Sequence, residues 1–181
     1  MAATGQAGMD RYGRVAIAFH WTIAALIAAN LVIGLGHDTI FDGWIWLHKS
    51  IGLTVLALSL ARLGWRLGHR PPPLPREIPR WQRTVAHATH WSLYALMVAM
   101  PLSGWVFTSA NAKPRPTTFG LFSVPPLPIA PDEALNAGVR DLHGLLGWTM
   151  LALIALHVAG ALKHQLIDGL PILRRLMPRS A

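Results

Sequence analysis

His143 and His157 stand 14 residues apart in the stretch 142–166, which is too apolar to sit in water. On a helix rising about 1.5 Å per residue, their imidazoles lie about 21 Å apart along the axis. At about 100° per residue the interval closes to within about 40° of whole turns, so both rings look the same way. An imidazole inside a bilayer is costly without a partner, and such a residue reads first as a functional site. Two on one face, near opposite membrane surfaces, imply two stacked metal centres.

The elements that must position them are four long apolar runs, 15–36, 44–67, 85–108 and 142–166. Each reaches the roughly 20 residues a helix needs to cross a bilayer. The first has Arg11 and Arg14 before it, like a signal peptide. Its core is longer than the 7–15 residues typical of one, and it carries His20, Trp21 and Asn30, so it is read as a retained span. The 181 residues have a mean hydropathy of +0.38. Only 13% are charged, against about 25% in soluble domains. The net charge of +8 could point to nucleic acid, but the basic residues sit between apolar runs, where they set topology instead.

Arg66, Arg70, Arg76, Arg80 and Arg83 separate spans two and three, among Pro71, Pro72 and Pro73. Lys163, Arg174, Arg175 and Arg179 mark the tail. The first connection has Asp38 and Asp42 but no Lys or Arg, and the third is long, Pro-rich and nearly charge-balanced. By the positive-inside rule, both termini and the arginine-rich loop face the cytoplasm. The expected architecture is all-α, an integral membrane four-helix bundle of one domain, residues 1–181, with two outward loops.

Topology turns histidines into depths. His48 and His143 fall near the outer surface. His20, six residues past Arg14, and His157, six before Lys163, lie about 9 Å inside the cytoplasmic boundary. The natural pairs are His48 with His143 and His20 with His157. No cysteine is present, which removes disulfides, iron–sulfur clusters and covalently attached haem. Two axial ligands from facing helices suit a b-type haem, whereas structural zinc favours four protein ligands, often cysteines. Gly52, Gly104, Gly144 and Gly147 could let a flat macrocycle approach the helices.

Arg62, 14 residues beyond His48, reaches the depth of the inner pair and reads either as a haem-propionate contact or as a cation snorkelling to the interface. His87 and His90 read either as solvated helix-end residues or as a quinone site, or as replacements for an inner ligand. His37, His69 and His164 read as interfacial. Trp44, Trp46, Trp65 and Trp81 suit an aromatic belt, and Pro101 is expected to kink span three.

Several segments carry a resemblance: R-x-x-R-V-A-I-A-F-H-W from Arg11 to Trp21, L-H-K-S-I-G from Leu47 to Gly52, and A-H-A-T-H-W from Ala86 to Trp91. To these add L-H-G-L-L-G-W from Leu142 to Trp148, A-L-H-V-A-G from Ala155 to Gly160, and the R-R-L-M-P-R tail. In this order they resemble the bacterial cytochrome b561 family, over nearly the whole chain. The likeness is to its short stand-alone members, which include superoxide oxidase, a superoxide:ubiquinone oxidoreductase.

That resemblance implies a multi-pass protein of the bacterial inner membrane with two haem b groups. It implies axial ligation by His20 with His157 and His48 with His143, and electron exchange with ubiquinone. Superoxide or another periplasmic donor would deliver single electrons at the outer face, with Lys49, Lys113, Arg115 and Arg140 as anion-attracting cations. The alternative is a cytochrome b subunit that couples a partner dehydrogenase or hydrogenase to the quinone pool, and a third reading is a sensory or structural haem protein. Phe119, Leu121, Phe122 and Val124 in the loop 109–141 could cover a quinone or bind such a partner.

Overall fold

The computed structural model describes residues 11–36, 39–40, 43–69, 71–75 and 77–177. His37, Asp38, Asp42, Arg70, Arg76 and Arg179 lie outside them. Among the described residues the chain forms α1 (Arg14–Leu35), α2 (Ile45–Gly68), α3 (Arg80–Ser109) and α4 (Glu133–Leu166). A short hairpin, β1 (Thr117–Thr118) with β2 (Ser123–Val124), lies between α3 and α4, and a single 3-10 turn spans Leu173–Leu176. All four helices are long and apolar enough to cross a membrane.

The helices outrun the apolar runs where polar residues extend them. α4 starts at Glu133 rather than near residue 142, because Asp132 caps it by accepting from the Leu135 amide at 2.9 Å. A carboxylate at that end also complements the helix dipole. α3 starts at Arg80 and runs through Pro101 without breaking. Several buried or half-buried hydroxyls inside the spans bond back one turn, as Thr54 does to the Ser50 carbonyl (2.8 Å) and Ser109 to that of Trp105 (2.6 Å), whereas buried Ser59 Oγ in α2 has no protein partner. Lipid offers no water to satisfy them otherwise.

Close backbone packing runs along α3–α4, α1–α2 and α2–α3. At mid-depth Ile23, Leu96, Met97 and Met150 form the core, wrapped by Phe19, Ile27, Leu31, Leu58, Tyr94 and Leu153 among others. In a bilayer such contacts hold helices together by packing rather than by exclusion of water, since lipid tails are as apolar as Leu. Accordingly much apolar side chain stays outward, including Val32, Leu60, Leu145 and Leu156. The inward stripe of α2 runs His48, Gly52, Val55, Ser59, Arg62, a spacing of three or four residues.

The loop between α3 and α4 is ordered by its own bonds. Thr117 pairs with Val124 and Thr118 with Ser123. Phe119 donates its amide to the Phe122 carbonyl at 2.8 Å. Gly120 has φ +80° and Leu121 does not share it, the pattern of a two-residue type II′ turn that requires glycine first.

At the opposite end the tail folds back over the bundle. Tyr12 donates its amide to the Arg175 carbonyl (3.2 Å), and Trp21 Nε1 donates to the Leu176 carbonyl (2.9 Å). Buried Arg175 donates through Nη2 to the Pro73 carbonyl at 2.9 Å. Past α4, Lys163 and His164 each reach Asp168 Oδ2 at 2.7 Å. Hydrogen bonds from Lys163 and then His164 hold the Asp168 carboxyl below the usual carboxylate range.

Candidate functional site

Four histidines meet in two facing pairs. His48, in the first turn of α2, and His143, on α4, face each other with ring centres 6.1 Å apart at 81°. His20, on α1, and His157, on α4, do so at 6.3 Å and 58°. A metal–imidazole bond of about 2.0 Å on each side, plus about 1.1 Å from nitrogen to ring centre, puts two trans ligands roughly 6.2 Å apart. Both pairs stand at that spacing. Among the described residues no three His, Asp or Glu side chains converge as a closed metal site. Paired donors on opposite sides suit a metal that brings its own in-plane ligands.

The outer pair is positioned by main chain. His48 donates from Nδ1 to the Asn30 carbonyl of α1 at 3.1 Å. His143 donates from Nδ1 to the Met100 carbonyl at 3.1 Å and to Ser103 Oγ at 2.9 Å, while the Ser103 hydroxyl itself donates to Met100 at 2.7 Å. A carbonyl can only accept, so Nδ1 carries the hydrogen in both rings and the lone pair falls on Nε2, the ligating tautomer.

Glycines admit the rings. A Cβ on Gly34 would stand 2.7 Å from His48 Cε1, and one on Gly104 would stand 3.1 Å from His143 Cε1. Below the pair lies a cleft lined by Asn30, His48, Gly52, Met97, Met100 and Met150 among others. The Asn30 side-chain oxygen is buried there with no protein partner. Cradled rings, the imposed tautomer and an orphaned polar atom all fit a flat metallocofactor between α2 and α4.

The inner end is built differently. His90 of α3 joins the pair, its ring centre 5.0 Å from that of His157. Arg62 Nη2 lies 3.4 Å from His20 Nδ1, too long a contact to fix that ring's tautomer. The Arg62 and Arg66 guanidinium carbons both lie 5.4 Å from the centre of the Tyr94 ring, and Arg66 also lies 5.9 Å from that of Trp91. Among the described residues no carboxylate pairs with either arginine. Two uncompensated cations beside imidazoles make a site for anionic groups such as propionates.

Several expected residues separate here. His90 is half-buried in the cluster, whereas His87 is exposed on α3. Of the outer cations, Lys49 and Arg115 come together through a 3.0 Å bond from Lys49 Nζ to the Arg115 carbonyl. Lys113 and Arg140 are exposed, Arg140 one turn above His143. His69 stacks on Trp65 at 3.7 Å and His164 binds Asp168, both at the inner end. Of the four glycines expected to flank a macrocycle, Gly104 contacts a ligand-candidate ring, Gly52 faces Asn30 and Gly147 faces Met100, while Gly144 meets nothing within 4 Å. Gly34, Ser103 and Tyr94 were not singled out by the sequence, and Arg66 was read only as a topology-setting cation. Gly34 lies one turn from Asn30 on the same face of α1, which is the signal that could have found it.

A family profile for prokaryotic cytochrome b561 matches residues 11–179. Cytochrome b561 homolog 2 of Escherichia coli (strain K12) is 37% identical over 95% of this chain and 94% of its own. Cytochrome b561 homolog 1 of the same strain is 26% identical, covering 94% and 99% respectively. The probable superoxide oxidase CybB of Yersinia pestis is 25% identical over 93% of this chain and 97% of its own. With four membrane-length helices and paired histidines in their interior, the chain belongs to the prokaryotic cytochrome b561 family of haem b proteins that carry electrons in membranes.

Proposed function

We propose that the protein holds two haem b groups and passes electrons from superoxide at the outer face to ubiquinone in the membrane. The observation that carries this reading is the pair of facing histidine couples at 6.1 and 6.3 Å. His48 and His143 would hold the outer haem and His20 and His157 the inner one, each supplying a one-electron iron couple. The Nδ1 bonds to Asn30 and Met100 hold the outer rings in their ligating tautomer. Arg62 neutralises a propionate at the inner end.

Two superoxide anions, ubiquinone and two protons become two O2 and one ubiquinol. Each superoxide gives up one electron. Lys49, Lys113, Arg115 and Arg140 draw the anion to the outer end by long-range attraction that salt weakens. His90, with His87 near it on α3, is the candidate quinone-side group, since imidazole can hold or release the protons ubiquinol needs. The likeness to the Yersinia pestis relative, a probable superoxide oxidase, supports superoxide as donor.

The test is haem quantification and rapid mixing on the purified protein. Two haem b per chain, reduced by superoxide and reoxidised by ubiquinone, are expected. One haem per chain would overturn the paired assignment. Haems inert to superoxide, in protein that co-purifies with a large redox subunit, would replace this reading with an electron-transfer subunit.

A further inference from the structure

The hairpin between α3 and α4 is strapped to the flank of the bundle rather than held over the outer histidines. Ser50 Oγ donates to the Thr118 carbonyl at 2.7 Å and Lys49 Nζ to the Arg115 carbonyl at 3.0 Å. Trp105 Nε1 on α3 donates to the Pro125 carbonyl at 3.2 Å. Ser50 follows His48 by two residues, about 200° around the helix, so it points away from the histidine pair. It is nonetheless buried at 7% exposure, although it lies off the inward stripe of α2. The hairpin's Thr117, itself buried, lies over that same flank.

The same bonds fix its height. Ser50 lies five residues into α2 from Ile45, about 7.5 Å below the helix start. Trp44 and Trp46, both exposed, mark the start of α2 as the level where tryptophans collect in membranes. The hairpin therefore sits at or just under the interfacial belt. Its backbone is suited to that position: Phe119 bonds to Phe122, and side-chain donors satisfy the carbonyls of Arg115, Thr118 and Pro125. Poorly hydrated surroundings demand such pairing.

What it turns outward is apolar. Leu121 is 100% exposed and Phe122 62%, and Phe119 stacks on Phe122 with centres 4.9 Å apart. Lys113 and Arg115 precede the first strand, and both are exposed. An apolar tip with adjoining cations is the arrangement of an interfacial anchor, ring and branched chain among acyl groups and cations at phosphates.

We propose that the β1–β2 tip is a lipid anchor, with Leu121 and Phe122 inserted at the headgroup–acyl boundary of the outer leaflet and Lys113 and Arg115 against phospholipid phosphates, which leaves Lys49 and Arg140 as the cations that draw an anion to the outer histidines. It would hold a Pro-rich loop away from the outer histidines.

The chain has no cysteine, so a single introduced one takes a spin label uniquely. Leu121→Cys and Phe122→Cys, labelled in the full chain and reconstituted into phosphatidylethanolamine–phosphatidylglycerol vesicles, are compared with two references. Leu60→Cys lies on the exposed apolar surface of α2. Ala134→Cys lies nine residues before His143 on α4, about 13 Å farther out. Labels at 121 and 122 are expected to collide with oxygen several-fold more than with a water-soluble nickel chelate, as at 60. Nickel-chelate collision equal to that at 134 would overturn the anchor. So would labels shielded from both quenchers in native membranes but open to the chelate in vesicles, the outcome expected of a protein partner.

Discussion

At the outer end, His48 and His143 hand their Nδ1 hydrogens to main-chain carbonyls of neighbouring helices. At the inner end, His20, His90 and His157 meet one another and a guanidinium group. A carbonyl inside a helix is fixed by its own ladder, so it sets ring direction and tautomer together. A guanidinium on a long stem moves, and what it contributes is charge. The outer pair is thus held by shape, through Gly34 and Gly104, and the inner cluster by electrostatics, through Arg62 and Arg66. On the proposed ligation, two centres that share α4 can be tuned separately, one by packing and one by charge.

The sharpest way to break that comparison is to remove one ligand from each end. On the proposed assignment, His143→Ala and His157→Ala each abolish one haem and largely spare the other, read as pyridine haemochrome per chain. Loss of neither haem would sink the pairing. Next in size is Gly34→Ala. Its Cβ would fall 2.7 Å from His48 Cε1, too close for any ordinary contact, so ring or helix must shift. A misoriented ligand costs about 10–100-fold in metal-site affinity, expected here as faster loss of the outer haem to apomyoglobin. Gly160→Ala, with open space around the new Cβ, serves as the control and should behave as wild type.

Charge at the inner end has a smaller signature. Arg62→Leu should lower the inner haem's midpoint potential, because a nearby cation favours the more negative, reduced form. A shift on the order of 50 mV corresponds to roughly 1.2 kcal/mol for one electron. The outer haem should not move in a redox titration, and equal shifts in both would erase the distinction between the two ends. Smallest is Asp168→Asn, at the inner end but clear of the histidine pairs. The Asp168 carboxyl is held low by Lys163 and His164, so its contribution is full above the ordinary carboxylate pKa and fades only as pH falls through the lowered value. Wild type should therefore keep its advantage in thermal melts from neutral pH down to about 5 and lose it only in stronger acid. Haem spectra of the variant should be unaltered.

The four spans and the pairing of His48 with His143 and His20 with His157 were legible because hydropathy fixes depth and depth fixes partners. Helix ends were less so. The stretch from Glu133 to Arg140 is helical but interrupted by Glu133, Asn136 and Arg140, and hydropathy marks only what lies in lipid. The carbonyls of Asn30 and Met100 could not be found from sequence, since every residue has one and only the packing of α1 on α2 and of α3 on α4 selects these two. His87 and His90 looked equivalent in sequence. Three residues offset two side chains by only about 60° around a helix and about 4.5 Å along it, so at the edge of the inward face one stays exposed while the other, a turn deeper, meets His157.

That α4 supplies one histidine to each pair also governs how the protein is made. It is the last of the four helices to leave the ribosome, and until it enters the membrane neither pair exists. A chain stalled or truncated after α3 carries His20, His48 and His90 but lacks the α4 histidine of both the 6.1 Å and the 6.3 Å pair. The tail that follows α4 then ties Tyr12, Trp21 and Pro73 together. On the proposed ligation, cofactor loading is thereby placed after α4 has entered the membrane, and the helix that contributes to both pairs acts as the checkpoint for assembly.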